Sequence, residues 1–273
     1  MGIYMSTKIY DCVMFNGEWD MLEIHLNEHD EHVDYFVIVE SDHTFTDLPK
    51  PILFDINHAV VHKFRRKIRY VLVTDMPNQG NPWANEVWQR DAMQRALWDA
   101  QASDIVLIMD CDEILKPHTL VTLKQDDHNH WWGFHQPLYY CYMNNLCVGQ
   151  YANMVWGVAV RFHLLAHNVT SFWRSNAGQI ADIPYTVIYD AGWHYSYMMN
   201  VEQIKNKLVS FSHTEFNTPH VIDQIDPVNQ VASNKDILGR DHVDWQLITL
   251  DQVQLPTYVQ NNLDHFSKYL YPV

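Results

Sequence analysis

Three carboxylates crowd the stretch Asp110-Cys-Asp112-Glu113, directly after the apolar run Ile105-Val-Leu-Ile-Met109. The run has the length and composition of a strand buried on both faces. Negative charge at the end of such a strand costs desolvation and repulsion, which a divalent cation would offset. Alternate residues of an extended chain point the same way, so Asp110 and Asp112 would face one ion. Two hard oxygen ligands suit Mn²⁺ or Mg²⁺, with a substrate diphosphate supplying further oxygens. The carboxyl ends of strands in an open α/β sheet are also where ligands bind. A blander account is a strand end with solvated turn residues. A third is an aspartyl-nucleophile phosphatase or phosphotransferase, which also carries Asp-x-Asp after a strand. That class places the motif on its first strand, usually with Thr two residues further on. Here three candidate strands come earlier and position 114 is Ile. Position and residue types favour a nucleotide-sugar metal site.

The elements that must position these groups follow from pattern. Residues 9–15, 35–39, 68–73 and 104–109 are expected strands. Asp20 with Glu23 forms a capping-box pattern for a helix to about residue 31. Asn81-Pro82 opens another helix, to about residue 102. Strands alternating with helices at this spacing mean βαβ units and a parallel sheet. The second half changes character. Residues 131–142 and 155–162 are aromatic and β-rich, with a turn around Asn144-Asn145, and are expected to add antiparallel strands to the sheet. Residues 185–189 form a further strand, Asn200 caps a helix carrying Ile204 and Leu208, and a last helix is expected over 256–270. No repeat or linker divides the chain, so residues 1–273 are expected to form a single domain, with a nucleotide-binding half (1–115) and an acceptor half (116–273).

Composition narrows the function. The chain has 273 residues, 47% of them apolar, and 18 basic against 33 acidic side chains give a net charge of -15. That balance excludes the basic footprint of a nucleic-acid binder. No run approaches the ~20 apolar residues of a membrane span, and no signal-peptide pattern opens the sequence, so a soluble, cytoplasmic protein is expected. Cys12, Cys111, Cys141 and Cys147 show no metal spacing. A Cys141–Cys147 bridge is conceivable, but reduced thiols are the simpler expectation. His25, His29 and His32 fall at helical spacing and read as an exposed helix face rather than a metal site. Asn168-Val-Thr170 matches the N-glycosylation pattern.

Several segments, in order, carry a resemblance. They are Ile9-Tyr-Asp-Cys-Val-Met-Phe-Asn16 with Glu18 and Asp20-Met-Leu-Glu23; Val33 to Ser41 with Thr44-Phe-Thr; Trp83 with Gln89-Arg90; Asp110-Cys-Asp112-Glu113-Ile; Ala191-Gly-Trp-His194-Tyr-Ser196; and Lys207-Leu-Val-Ser210. Together they resemble the glycosyltransferase family of the β-1,4-mannosyl-glycoprotein 4-β-N-acetylglucosaminyltransferases. The resemblance implies a GT-A (Rossmann-like) glycosyltransferase fold and an inverting, metal-dependent transfer. The donor it implies is a UDP-sugar, with UDP-N-acetylglucosamine (UDP-GlcNAc) first, and the acceptor a carbohydrate hydroxyl. Asp110 and Asp112 are then the metal carboxylates, with Asp110 also near the donor ribose, and His194 matches the place of a late metal ligand. Glu40, at the end of the second strand, would accept hydrogen bonds from ribose or uracil. Arg90 would bind phosphate or orient Asp110. Lys207 would meet the diphosphate. Inversion needs a carboxylate to take the acceptor's proton; Glu113 is the first candidate, provided a turn re-aims it, with Asp182 and Asp190 as alternatives. A non-catalytic carbohydrate-binding protein of the same fold is the non-enzymatic alternative.

Overall fold

The computed structural model describes residues 7–127, 130–176 and 183–272. In chain order the first half comprises β1 (Ile9–Met14), α1 (Trp19–His29), β2 (Tyr35–Ser41), α2 (Ala59–His62), β3 (Ile68–Val73), α3 (Pro82–Asp91) and β4 (Ile105–Asp110). The second half begins with β5 (Glu113–Leu115), α4 (Pro117–Gln125), β6 (Trp131–His135), β7 (Leu138–Tyr140), β8 (Asn145–Cys147), β9 (Val155–Arg161), α5 (Thr170–Ser175), β10 (Tyr185–Ile188) and β11 (Gly192–Ser196). It ends with α6 (Val201–Ser210), α7 (Pro219–Ile222), α8 (Pro227–Ala232), β12 (Trp245–Leu247), α9 (Thr257–Asn261) and α10 (Leu263–Phe266).

The first sheet has the order β10-β6-β9-β4-β1-β2-β3. Only β9 runs against its neighbours, so this is the mostly parallel α/β sheet with an antiparallel addition that the sequence led one to expect. Its central strands are apolar on both faces because both are covered. Ile9, Val13, Leu107 and Met109 pack with Leu22 and Leu26 of α1. The alternate residues Tyr10, Cys12, Val106 and Ile108 pack on the opposite side with Met93, Trp131 and Trp173. No helix among the described residues is long and apolar enough to cross a membrane.

A second sheet, β12-β8-β7-β11-β5, was not foreseen. Most of its strands are three residues long, too short for a periodic signal. The expected strand over 131–142 is cut at Gln136-Pro137. There the buried Gln136 amide donates to the Ile114 and Trp193 carbonyls, and the chain passes from one sheet to the other. Gly192 makes the crossing of β11 over β5 possible: a Cβ there would lie 1.9 Å from the Ile114 oxygen.

Other expectations are corrected by tertiary partners. The capping box at Asp20 does not form; α1 starts at Trp19, and Asp20 binds the Tyr269 hydroxyl and Lys268 instead. The helix after Asn81 ends at Asp91 and continues as a 3₁₀ turn, Ala92–Ala96, where Thr170 takes the Arg90 carbonyl. Asn200 does cap α6, in a full capping box with Gln203. The last helix is broken at Asn262. All four cysteines are free and buried.

His25 and His29 are fully buried rather than exposed. Both donate to Asp11 Oδ2, at 2.9 and 2.7 Å, while His29 Nε2 accepts the Leu115 N–H at 2.8 Å. Both nitrogens of His29 are therefore engaged, and the group reads as a polar tie between β1, α1 and β5 rather than a metal centre.

Candidate active site

A cleft of about 490 Å³ opens at the carboxyl ends of β1, β2 and β4. Asp110, Asp112, His194, Arg90 and Lys207 all line it. β4 ends at Asp110, Cys111-Asp112 form a turn, and Glu113 starts β5 in the other sheet. The two aspartates thus reach the cleft from a turn rather than from one continued strand.

Asp110 is held by two arginines. Arg90 of α3 donates to Oδ1 at 2.8 Å and Arg174 of α5 to Oδ2 at 3.2 Å. These cations, Arg90 first, outweigh burial and keep the carboxyl well below its ordinary range. Arg90 also bonds Glu86, one turn earlier on its helix. Of its two expected roles, the geometry shows the orienting one. Both oxygens of Asp110 are therefore paired with guanidinium groups.

Arg174 was not foreseen, because nothing local marks it. It is delivered by α5, which is fixed to α3 where the Thr170 hydroxyl and the Ser171 N–H meet Arg90 O and Asp91 Oδ1. Thr170 of the Asn168–Thr170 pattern is fully buried, while Asn168 is half-buried.

Asp112 faces different neighbours. His194 Nε2 lies 3.7 Å from its Oδ1 and Lys207 Nζ 4.0 Å from its Oδ2. Burial raises its carboxyl, Lys207 opposes the rise, and Asp110 adds to it. Burial pushes the His194 imidazole down to about 3, so the ring is neutral, and its Nδ1 is buried without a hydrogen-bond partner. Lys207, over the Tyr197 ring, is held firmly protonated by Asp112 and Glu18. A neutral imidazole beside a carboxylate, with an orphaned ring nitrogen, is a donor set that fits a divalent cation. Asp110 stands outside the tightest grouping. Among the described residues, three such ligand atoms mutually within 4.8 Å occur only in Asp11–His25–His29 and Asp20–Glu23–His265.

Two expected site residues turn away from the cleft. Glu40 is fully buried, and its carboxylate accepts from Lys50 Nζ, Leu53 N, Phe54 N and the Tyr70 hydroxyl, at 2.7–3.0 Å. It has no capacity left for ribose or uracil and instead fastens residues 50–54 to the sheet. Glu113 is also fully buried; it accepts the Asp110 N–H at 2.9 Å and an Arg174 N–H. A turn does intervene before it, but aims it under β9 beside Gly157, not at the cleft. Of the alternative bases, Asp190 is exposed and paired with Lys116, and Asp182 lies outside the described residues. The cleft wall also contains Glu18, Trp83, Trp156 and Arg240, to which the sequence assigned no role.

Fold and cleft together define an α/β protein whose ligand site, rich in paired charges, lies off the carboxyl edge of a mostly parallel sheet. The chain belongs to glycosyltransferase family 17, whose family model matches residues 3–273. Among curated proteins it is similar to the human and rat β-1,4-mannosyl-glycoprotein 4-β-N-acetylglucosaminyltransferases, each 24% identical over 240 residues. Each match covers 77% of this chain and 44% of the relative, so the chain spans less than half the length of these relatives. Among solved structures, similarity extends to Mycobacterium tuberculosis glucosyl-3-phosphoglycerate synthase in complex with Mn²⁺, UDP and phosphoglyceric acid. That match has 11% identity and a TM-score of 0.40, covering 93% of this chain and 91% of that one. It extends also to Francisella tularensis 2-C-methyl-D-erythritol 4-phosphate cytidylyltransferase, with 10% identity and a TM-score of 0.41, covering 75% and 100%.

Proposed function

We propose that the cleft binds a UDP-sugar, UDP-GlcNAc first among candidates, with Mn²⁺ or Mg²⁺, and that the protein transfers the sugar with inversion to a carbohydrate hydroxyl. The observation that carries this reading is the convergence of Asp110, Asp112, His194 and Lys207 on one cleft at the carboxyl edge of the sheet. Asp112 and His194 would hold the cation, with Asp110 behind them. When bound, the cation neutralises the diphosphate and acts as a Lewis acid on the leaving group. The protein's own groups do the rest. Arg90 and Arg174 keep Asp110 ionised and oriented. Lys207 sets a fixed positive charge beside Asp112, where phosphate oxygens would sit. Glu113 anchors Arg174 from below.

The test is a transfer assay with a panel of labelled nucleotide sugars and oligosaccharide acceptors, in Mn²⁺ and then in EDTA, with the anomer of the product read by NMR. The expected result is metal-dependent release of UDP and a β-linked product from an α-linked donor. An α-linked product would overturn the inverting reading. Turnover unaffected by EDTA would overturn the metal.

A further inference from the structure

A second cavity, of about 640 Å³, lies beside the cleft. The two share one wall, formed by Asn16, Glu18, Thr44, Lys50, Lys207 and Ser210. The second cavity is lined unlike the first. Trp19, Tyr269 and Met199 give it apolar surface, and Gln203 and Asn206 of α6 bring side-chain amides. Apolar surface beside amides suits a pyranose, which presents C–H faces and hydroxyl edges at once.

Glu18 differs from the other carboxylates nearby. Asp110 is taken by two arginines, Glu86 by Arg90 and the Ser212 hydroxyl, and Glu113 is buried under the cleft. Glu18 lines both cavities and forms no ion pair with any described residue; its Oε2 accepts the Asn16 N–H at 2.7 Å. Resting on the donor reading above, we propose that the second cavity takes the carbohydrate acceptor and that Glu18, in the shared wall, removes the proton from its attacking hydroxyl. The acceptor oxygen bonds to the anomeric carbon, and its proton passes to the Glu18 carboxylate. The bond from that carbon to the diphosphate oxygen breaks, and the electron pair leaves with the nucleoside diphosphate. Burial favours the proton on Glu18, with Asp112 adding to the effect and Lys207 and the Asn16 amide opposing it.

The proposal is tested with the whole chain and two variants, Glu18→Gln and Asn206→Trp, the second filling the cavity from an exposed helical position. Calorimetry first measures UDP with Mn²⁺. A panel of mannose- and N-acetylglucosamine-terminated oligosaccharides is then titrated into the UDP–Mn²⁺ complex, and transfer is assayed from UDP-GlcNAc. UDP affinity should stay unchanged in Asn206→Trp and should not fall in Glu18→Gln, which removes a negative charge beside Lys207. Asn206→Trp should weaken oligosaccharide binding by roughly tenfold or more. Glu18→Gln should keep oligosaccharide binding and lower kcat by about 10²–10⁴-fold. UDP binding without oligosaccharide binding, equal oligosaccharide affinity in Asn206→Trp, or an undiminished kcat in Glu18→Gln would overturn this proposal alone. Absence of UDP binding would overturn the donor reading and this proposal with it.

Discussion

Asp110, Asp112 and Glu113 lie within four positions of one another and meet three different environments. Asp110 is clamped by guanidinium groups, Asp112 looks across the cleft at His194 and Lys207, and Glu113 is sealed under β9. Residue type and spacing were enough to single out this stretch, because an apolar run ending in carboxylates is costly without a purpose. They could not say which partner each carboxylate would find. Arg174 arrives from a helix more than sixty residues later, and four donors close on Glu40 from its own loop and the next strand. In Glu40→Gln an amide N–H would face donors, so the stability measured by urea unfolding should drop by about 2–3 kcal/mol. UDP affinity of the folded variant should stay at the wild-type value. A variant that keeps full stability and loses UDP binding would restore Glu40 to the donor site.

At the scale of elements, long periodic or fully apolar segments were legible and short ones were not. β1, β2 and β4 were recognisable from composition, since strands covered on both faces must be apolar, and the half-buried edge strand β3 from its run of apolar and aromatic residues. The three-residue strands of the second sheet carry no such signal, yet β5 and β11 carry Glu113 and His194. The buried histidines of α1 were misread for a related reason: helical spacing shows which residues share a face, not whether a buried aspartate on the preceding strand awaits them. This tie makes a pH prediction. Burial lowers the His29 pKa from the ordinary 6.5, and its Nε2 lone pair is occupied by the Leu115 N–H. The folded state therefore binds fewer protons there than the unfolded chain. Stability should fall as pH drops below about 6.5, by up to ~1.4 kcal/mol per pH unit for one proton. Urea midpoints between pH 7 and pH 5 should show this slope in the wild type, and His29→Gln should flatten it. An equal slope in both proteins would assign the acid sensitivity to other groups.

For the whole molecule, a net charge of -15 coexists with a cleft whose wall carries Arg90, Lys207 and Arg240. The same wall carries Glu18, Glu86, Asp110, Asp112 and Glu215, so the cleft mixes both signs of charge. The two sheets meet at the β4–β5 turn, so the aspartates sit where both layers can hold them rigidly. This junction is the proposed metal-dependent UDP site. Its most direct test is calorimetric titration of the protein with UDP in Mn²⁺, repeated in EDTA and with Asp112→Ala. Binding in Mn²⁺ should disappear in EDTA and weaken by roughly a hundredfold in the variant. A folded protein that binds no UDP with Mn²⁺, or binds it equally well without Asp112, would contradict it.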